Sequence, residues 1–160
     1  MSVRGLAPGD YAWVAALGTA NEVETGPIDG AWLEAMSREW FVGAAAGESE
    51  AFAIIFDQTA NYGSPNFHWF RERYQHFVYV DRIVVSARAR GKGLARALYS
   101  HVFEAARAAG HSRVVCEINF DPPNPGSDAF HAKLGFSEIG RATLANGKSV
   151  RYLERLIGAI

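Results

Sequence analysis

The sequence predicts a mixed α/β fold, with one sheet covered by helices on both faces and a single domain over residues 1–160. Two observations carry this prediction. Strand-like patterns come first along the chain and then alternate with helical patterns, which is the order expected for a mixed sheet. The length of 160 residues is within the usual range of one domain, and the hydrophobic fraction of 49% is enough to build a core.

The first half of the chain contains strand-like and helical segments in turn. Trp13, Val14 and Leu17 have the spacing of the apolar face of a helix, and Asp29 is suited to cap the next one. The segment after the third strand is long and rich in turn residues, so we expect a loop there. These patterns predict strands at residues 3–6, 40–46 and 51–56, helices at 10–20 and 29–39, and a loop at 58–75.

The second half alternates more regularly. Apolar residues recur at steps of three and four from Leu94 through Leu98 to Val102, which is typical of a helix packed on one side. Asn146 and Gly147 stand between two strand-like runs and predict a hairpin turn. We expect strands at residues 76–85, 113–119, 136–144 and 148–156, and helices at 91–109 and 127–134.

Composition and charge exclude several classes of protein. The net charge is -1, so there is no electrostatic case for a nucleic-acid partner. The longest apolar runs are too short to span a membrane, and the first residues lack the pattern of a signal peptide. The single cysteine, Cys116, has no partner for an internal disulfide, so we expect a reducing compartment and a cytoplasmic protein. We interpret Cys116 as a core residue of its strand rather than a nucleophile.

The most informative segment joins the strand at 78–85 to the helix that follows it. This segment carries Gly91 and Gly93, and the first N–H groups of a helix have no partner inside the helix. Glycines at this point let an anion approach those N–H groups, and Arg88, Arg90 and Lys92 add positive charge. The segment therefore predicts a phosphate-binding loop.

Two nucleotide-binding motifs do not fit this loop. The dinucleotide motif Gly-x-Gly-x-x-Gly needs a third glycine, and the chain has Arg96 at that position. The P-loop motif needs an upstream glycine before Gly147, Lys148 and Ser149, and the chain has Ala142 there.

A third pattern does fit. Arg88-x-x-Gly91-x-Gly93 after a strand resembles the pyrophosphate loop of the GCN5-related N-acetyltransferases, the GNAT superfamily. The segment from Asn124 to Phe136 reads Asn-Pro-Gly-Ser-Asp-Ala-Phe-His-Ala-Lys-Leu-Gly-Phe and resembles the family's second signature. The resemblance covers most of residues 76–155. It implies a central, mostly antiparallel sheet flanked by helices, acetyl-CoA as the cosubstrate, and no metal.

The resemblance also implies how acetyl-CoA is held. Backbone amides at the start of the helix bind the pyrophosphate, and the end of the preceding strand pairs with the pantetheine arm as though the arm were another strand. Separately from the resemblance, a strand N–H of Ile83 or Val84 is expected to stabilise the oxyanion if the neighbouring strands splay apart. The residues implied in donor binding are Ile83, Val84, Val85, Arg88, Arg90, Gly91, Lys92, Gly93, Leu94, Ala95, Asn124 and Ser127.

Three residues are candidates for proton transfer. His131 stands where many relatives have a tyrosine, and an imidazole titrates close enough to neutral pH to protonate the leaving thiolate. The alternatives for His131 are that it binds the sulfur or a water, or that it only packs in its helix, leaving protonation to solvent. Asp81 is the first candidate for the base that takes the amine proton, and Glu117 is the second. Either carboxylate can instead hold an ammonium group. Adjacent strand residues face opposite sides, so its place next to Asp81 in the sequence does not make Arg82 the partner of that carboxylate.

The acceptor site is expected to involve the first half of the chain. The 58–75 loop holds five aromatic residues beside two arginines, which can wall a pocket for an aromatic or acidic acceptor. The alternative is a loop that covers the sheet with a small core of its own. The candidate acceptor-binding residues are Tyr62 and Trp69 in this loop, and Asn21, Glu22 and Glu24 between the first two helices.

Together these features predict an N-acetyltransferase that moves an acetyl group from acetyl-CoA to a primary amine of a small molecule by direct attack, without an acyl-enzyme. The bulky 58–75 segment favours a closed pocket over an open groove. Two alternatives stay open: an enzyme that acetylates protein amino termini or lysines, and a noncatalytic acyl-CoA-binding sensor. We expect a monomer or homodimer, with neither a nucleic acid nor a membrane as partner.

Overall fold

The computed structural model describes residues 2–20, 28–121 and 123–158. These residues form seven strands and five helices, with short 3-10 turns at Pro8–Asp10 and Ala87–Ala89. The strands are β1 Val3–Gly5, β2 Val42–Ala46, β3 Ala51–Asp57, β4 Val78–Val85, β5 Arg113–Asp121, β6 Ser137–Thr143 and β7 Ser149–Leu156. The helices are α1 Tyr11–Ala20, α2 Gly30–Met36, α3 Pro65–Arg71, α4 Leu94–Ala108 and α5 Pro125–Lys133.

The seven strands form one sheet in the order β1-β2-β3-β4-β5-β7-β6. Neighbouring strands are antiparallel except for β4 and β5, which run in the same direction. Parallel neighbours need a crossover connection, and α4 supplies it. The predicted mixed and mostly antiparallel sheet is therefore confirmed.

One face of the sheet, here called the α4/α5 face, is covered by the last two helices. The apolar side chains of α4 lie at the spacing that the sequence predicted, and they are buried against the sheet. Burial of one large apolar side chain contributes about 1.5–3 kcal/mol, so this stripe fixes the helix on the strands. The buried residues of α4 are Leu94, Leu98, Tyr99, Val102, Phe103 and Ala106.

The opposite face, here called the α1–α3 face, is covered by the first three helices. Val14 of α1, Leu33 of α2, and Phe67 and Phe70 of α3 are fully buried on it. Helices therefore lie on both faces, as the order of the elements predicted.

The prediction of a loop throughout residues 58–75 was wrong, because this segment contains α3. The Oγ of Ser64 accepts a hydrogen bond from the N–H of Phe67, and Pro65 lies in the first turn, where its missing N–H costs no helical bond. Ser64 and Pro65 are thus a helix start that the sequence already contained.

Most other boundaries differ from the prediction by one to three residues. The second strand begins at Val42, and the helix expected from residue 91 begins at Leu94 because Gly93 has a φ of 80°, outside the helical region. Asn21, Glu22 and Glu24 lie outside the described residues. No helix in the described part of the chain is long and apolar enough to cross a membrane.

Candidate active site

Strands β4 and β5 lie side by side only at their beginnings. Their pairing consists of Val78 with Val114 and Tyr79 with Val115. On its other side, β4 stays paired with β3 as far as Val85. The two parallel strands therefore separate after their first residues and leave the β5 side of β4 without a strand partner. A gap between two splayed strands is a place where an extended ligand can complete the hydrogen bonding of β4.

A β-bulge lies at the point where the strands separate. Ile55 of β3 pairs with Val80 and Ile54 pairs with Arg82, so Asp81 is an extra residue in β4. The bulge turns Asp81 and Arg82 to the same side, where the Arg82 Nε donates to the Asp81 carboxylate over 2.9 Å. The alternation argument, which placed them on opposite sides, was therefore wrong at this position.

Asp81 is tightly enclosed in this arrangement. Its side chain is 6% exposed, and the Tyr62 hydroxyl donates to it over 2.8 Å. Burial raises the pKa of Asp81, whereas Arg82 and Tyr62 oppose that rise. The Arg82 guanidinium also lies 4.9 Å from the centre of the Trp32 ring. Asp81 is thus a carboxylate whose charge is already matched by a buried cation.

Glu117 lies on β5, two residues beyond the last pair with β4, and no cation pairs with it among the described residues. The Tyr79 hydroxyl donates to both of its carboxylate oxygens, at 2.9 and 2.8 Å, and the Asn66 amide donates to one of them over 3.1 Å. Burial and the charge of Asp81 raise the pKa of Glu117 to about 8. A carboxyl group with this pKa can exchange a proton near neutral pH.

Asn66 was not among the predicted site residues. It is held in turn by the Tyr152 hydroxyl, which donates to the Asn66 Oδ1 over 2.9 Å. The sequence separations are 51 residues to Glu117 and 86 residues to Tyr152. No local pattern indicates contacts of this kind, although the Ser64-Pro65 helix start would have placed Asn66 on a helix.

His131 lies on the α4/α5 face, with both ring nitrogens engaged. Nδ1 is 2.7 Å from the Ser127 carbonyl oxygen, which can only accept, so Nδ1 carries a hydrogen. Nε2 is 2.6 Å from the Tyr99 hydroxyl. Burial lowers the pKa of His131, so at neutral pH the ring is uncharged and its Nε2 accepts the Tyr99 hydrogen. Tyr99, which is 2% exposed, is a second site residue that sequence reasoning missed.

The predicted phosphate loop has the geometry that an anion requires. Gly91 and Gly93 have φ values of 83° and 80°, which side-chain-bearing residues rarely adopt. A Cβ placed on either glycine meets no atom within 4 Å, so this side of the loop is open to a ligand. α4 follows directly, and its first-turn N–H groups point out of the helix end. Residues 90–95 therefore fit the pyrophosphate of coenzyme A.

The side chains around this loop contribute charge. Arg88 and Arg90 are exposed, and the Lys92 Nζ lies 3.4 Å from the Glu50 carboxylate on the β2–β3 turn. Glu50 thus lies at the edge of the loop, a neighbour that the sequence did not indicate.

Asn124 and Ser127 begin α5. The Asn124 Oδ1 accepts from the Ser127 N–H over 3.3 Å and caps the helix, while the Ser127 carbonyl holds His131. The spacing from Asn124 to Ser127 to His131 in the predicted signature therefore caps the helix and holds the imidazole. The Asn124 Nδ2 lies at the same end of the helix.

Tyr62 and Trp69 are half-buried and stacked on other aromatic rings. Tyr62 stacks on Phe56 with ring centres 4.4 Å apart, and Trp69 stacks on Tyr152 at 4.0 Å. A Cβ on Gly140 would lie 2.5 Å from Trp69, so the indole lies directly against β6. The aromatic residues of this segment thus cover the sheet with a core of their own, which was the alternative reading of the segment.

Cys116 is 2% exposed on the α4/α5 face, and burial raises the pKa of its thiol well above the ordinary value. A buried, protonated thiol is a poor nucleophile. In the part of the chain that the structure describes, no three His, Cys, Asp or Glu side chains form a group that could hold a metal.

Two surface cavities lie away from the splayed strands. One, of about 400 Å³, is lined by residues that include Phe41 and His111. The other, of about 380 Å³, lies along α4 beside Arg96, Arg107 and Arg155. Neither cavity is lined by Asp81, Glu117 or His131. These titratable side chains favour the gap between the strands as the candidate active site.

Comparisons with known proteins show the family to which the chain belongs. The sequence matches the model of the acetyltransferase (GNAT) family over residues 20–136. The chain therefore belongs to the GNAT family of acetyltransferases, and the resemblance inferred from its two motifs is confirmed. No curated protein matches the sequence.

Solved structures share the fold over nearly the whole chain. Ard1 from Thermoplasma volcanium has a TM-score of 0.79 at 17% identity, over 98% of this chain and 97% of that one. The yncA putative acetyltransferase from Salmonella typhimurium, solved with acetyl-CoA, has a TM-score of 0.72 at 19% identity, over 100% and 95%. A ribosomal-protein-alanine N-acetyltransferase from Brucella melitensis has a TM-score of 0.71 at 19% identity, over 98% and 100%.

Proposed function

We propose that the protein transfers an acetyl group from acetyl-CoA to a primary amine by direct attack of the amine. The observation that carries this proposal is the gap between β4 and β5, with the anion-binding loop at one end and the Glu117 carboxyl group at its side. Membership in the acetyltransferase family supports it.

In this proposal the donor is held mainly by backbone. The N–H groups of residues 90–95, among them those of Leu94 and Ala95, receive the pyrophosphate. The β5 side of Ile83, Val84 and Val85 pairs with the pantetheine arm, because no strand among the described residues pairs with β4 there. Asn124, whose Oδ1 caps α5, presents its Nδ2 to the same arm.

We assign the role of base to Glu117 ahead of Asp81. Asp81 is neutralised by Arg82, so taking up a proton would break a buried ion pair. Glu117 is held by uncharged donors only, and a carboxylate has about four lone-pair positions, so it can still accept a proton from the amine. Its pKa of about 8 is close to that of an amino group.

The acetyl group then passes directly from the thioester to the amine. The Glu117 carboxylate takes a proton from the ammonium group, and the freed nitrogen lone pair attacks the thioester carbon. The carbonyl electrons move to oxygen, where a backbone N–H of β4 stabilises them. The C–S bond breaks as the carbonyl re-forms, and the sulfur leaves and takes a proton. A second proton leaves the nitrogen, so an amide and a free thiol result.

The leaving sulfur receives its proton near His131. In the neutral ring Nε2 carries no hydrogen and the N–H on Nδ1 is committed to the Ser127 carbonyl, so His131 donates only from a ring that has first gained a proton at Nε2. The alternative is protonation by solvent, with His131 serving to shape the site.

Two classes of acceptor are candidates. A small-molecule amine is the class expected from the aromatic 58–75 segment, in which Trp69 is stacked on Tyr152. A peptide amino terminus is favoured by the likeness to a ribosomal-protein-alanine N-acetyltransferase. Both classes supply the primary amine that the proposed chemistry requires.

Acetyl-CoA binding and turnover test the proposal on one sample. Calorimetry with acetyl-CoA should show saturable binding, and a free-thiol assay should then show release that depends on an added amine or peptide. Mass spectrometry of the active mixture identifies the acceptor class. Binding without turnover on any amine or peptide would favour an acyl-CoA sensor, and absence of binding would contradict the proposal.

A further inference from the structure

We propose that Asn66 of α3, itself hydrogen-bonded by Tyr152, is a positioning residue that holds Glu117 as the reactive carboxylate. This inference rests on the proposed function, because it assigns the support of the proposed base. It goes beyond that function because it gives α3 a part in the reaction. The sequence patterns had not distinguished this helix from a loop.

The contacts form a short chain of hydrogen bonds across three elements. The Tyr152 hydroxyl on β7 donates to the Asn66 Oδ1 over 2.9 Å, and the Asn66 Nδ2 donates to Glu117 over 3.1 Å. Tyr79 on β4 donates to Glu117 from the other side. All of these side chains lie on the α1–α3 face of the sheet, next to the gap between β4 and β5.

The orientation of the Asn66 amide follows from its neighbours. In the flipped orientation the amide oxygen would face the Glu117 carboxylate, and two acceptors would lie against each other. In the observed orientation the Asn66 Oδ1 accepts from Tyr152 and the Asn66 Nδ2 donates to Glu117. The Glu117 carboxylate, which can only accept, therefore selects the orientation in which Asn66 donates to it, and the Tyr152 hydroxyl donates to the Asn66 Oδ1 that this orientation presents.

Asn66 itself is held firmly by packing. The next residue along α3, Phe67, is fully buried, as is Phe70 one turn further on. Trp69 stacks on the ring of Tyr152, so the same helix fixes both members of the hydrogen bond. The position of the amide is thus set by the core of this face.

The chemical importance of Asn66 comes from the charges around Glu117. Asp81 on β4 disfavours the charged form of Glu117, and its own cation, Arg82, is paired with it. Behind β5, the buried groups of Cys116 and Tyr99 add no positive charge. The donors that stabilise the Glu117 carboxylate are therefore Tyr79, its own backbone N–H and Asn66, all of them uncharged.

Removal of the Asn66 donor should make Glu117 a weaker acid. A hydrogen bond to a charged group is strong enough that its loss should raise the titration midpoint of Glu117 by about one pH unit. The midpoint is measured by NMR on protein with 13C-labelled glutamate, with the Glu117 signal assigned by its loss in Glu117→Gln. The variants are Asn66→Ala and Tyr152→Phe, and Asn61→Ala in the exposed part of the same segment is the matched control.

Activity supplies the second readout. In Asn66→Ala the rise of kcat/KM with pH should move upward together with the NMR midpoint, and Tyr152→Phe should move both in the same direction by less. Tyr152→Phe keeps the ring on Trp69, so it tests the inference even where Asn66→Ala folds poorly. In a Glu117→Gln background, Asn66→Ala should cause no further loss of kcat/KM.

Two results would overturn the inference: an unchanged Glu117 midpoint in folded Asn66→Ala, or a moved midpoint with an unmoved kcat/KM profile. The NMR titration needs no turnover. A wild-type protein that binds acetyl-CoA but acetylates nothing would therefore overturn the proposed function, while the titration would still decide whether Asn66 controls the charge of Glu117.

Discussion

At the scale of single residues, Glu117 links the stability of the protein to pH. Its pKa is about 8 in the folded protein and near 4.5 as a free side chain, so between these values the folded state holds a proton that the unfolded state has lost. The stabilisation from this proton is complete below about pH 4.5 and is lost as pH rises through 8.

We predict that Glu117→Gln gains stability over wild type as pH rises. Glutamine carries no charge at any pH, so the variant avoids the cost of a buried carboxylate. The difference in free energy of unfolding should change by about 2–4 kcal/mol in favour of the variant between pH 5 and pH 9. Urea unfolding at both pH values measures it, with Glu104→Gln on the exposed side of α4 as the control. An equal difference at the two pH values would contradict the assignment.

His131→Phe tests whether the imidazole on the α4/α5 face takes part in proton transfer. Phenylalanine keeps the packing on Tyr99 and Phe136 but loses both hydrogen bonds of the imidazole. We predict that kcat falls by roughly 10–100-fold while the Kd for acetyl-CoA is unchanged, because general-acid assistance is lost and donor binding is not. Steady-state rates and calorimetry on the same sample separate the two. An unaltered kcat would make His131 a packing residue.

Cys116→Ala tests direct transfer. The thiol is buried and protonated, so an acyl-enzyme on this residue is not part of the mechanism. We predict kcat/KM within about twofold of wild type, since only a small cavity is created and no reacting group is removed. Thiol release measures the rate, and circular dichroism checks folding. A well-folded variant without turnover would refute direct attack.

At the scale of elements, the turn before α4 determines donor binding. Gly91→Val and Gly93→Val place side chains on the open side of this loop and strain a backbone with positive φ. We predict at least a tenfold weaker Kd for acetyl-CoA in each variant, because the side chain blocks the pyrophosphate from the amides.

Gly110→Val is the matched control for these two variants. Gly110 has a φ of 84° and equally open surroundings, but it lies beyond the other end of α4. The control should lose a similar amount of stability and bind acetyl-CoA as wild type does. Calorimetry compares the three, and equal affinities in all of them would place the pyrophosphate elsewhere.

Most of the elements could be predicted from the sequence, and the exceptions have physical reasons. α4 was predictable because its buried residues repeat at helical spacing around Leu98 and Val102. α3 is only seven residues long, so Phe67 and Phe70 are too few to show a helical repeat in the sequence. The Ser64-Pro65 start was the available signal, and it lies in a segment whose length had indicated a loop.

At the scale of the whole molecule, the family and the fold class were predictable because two local motifs and their separation carry them. The gap between β4 and β5 was not, since it depends on where pairing stops between strands joined by a whole helix. The bulge at Asp81 likewise requires the register against β3. These two features decide that Glu117, and not Asp81, is the carboxyl group without a cationic partner.

The central claim is that the Glu117 carboxylate, beside the splayed strands, takes the proton of the acceptor amine. The pH dependence of kcat/KM, measured for wild type and Glu117→Gln with one acceptor, tests this claim most directly. We predict that wild-type kcat/KM rises with pH and levels off above a midpoint near 8, as the pKa of Glu117 requires. Glu117→Gln should be roughly 100-fold slower and lack that midpoint. A variant with the wild-type rate and the same midpoint would contradict the account.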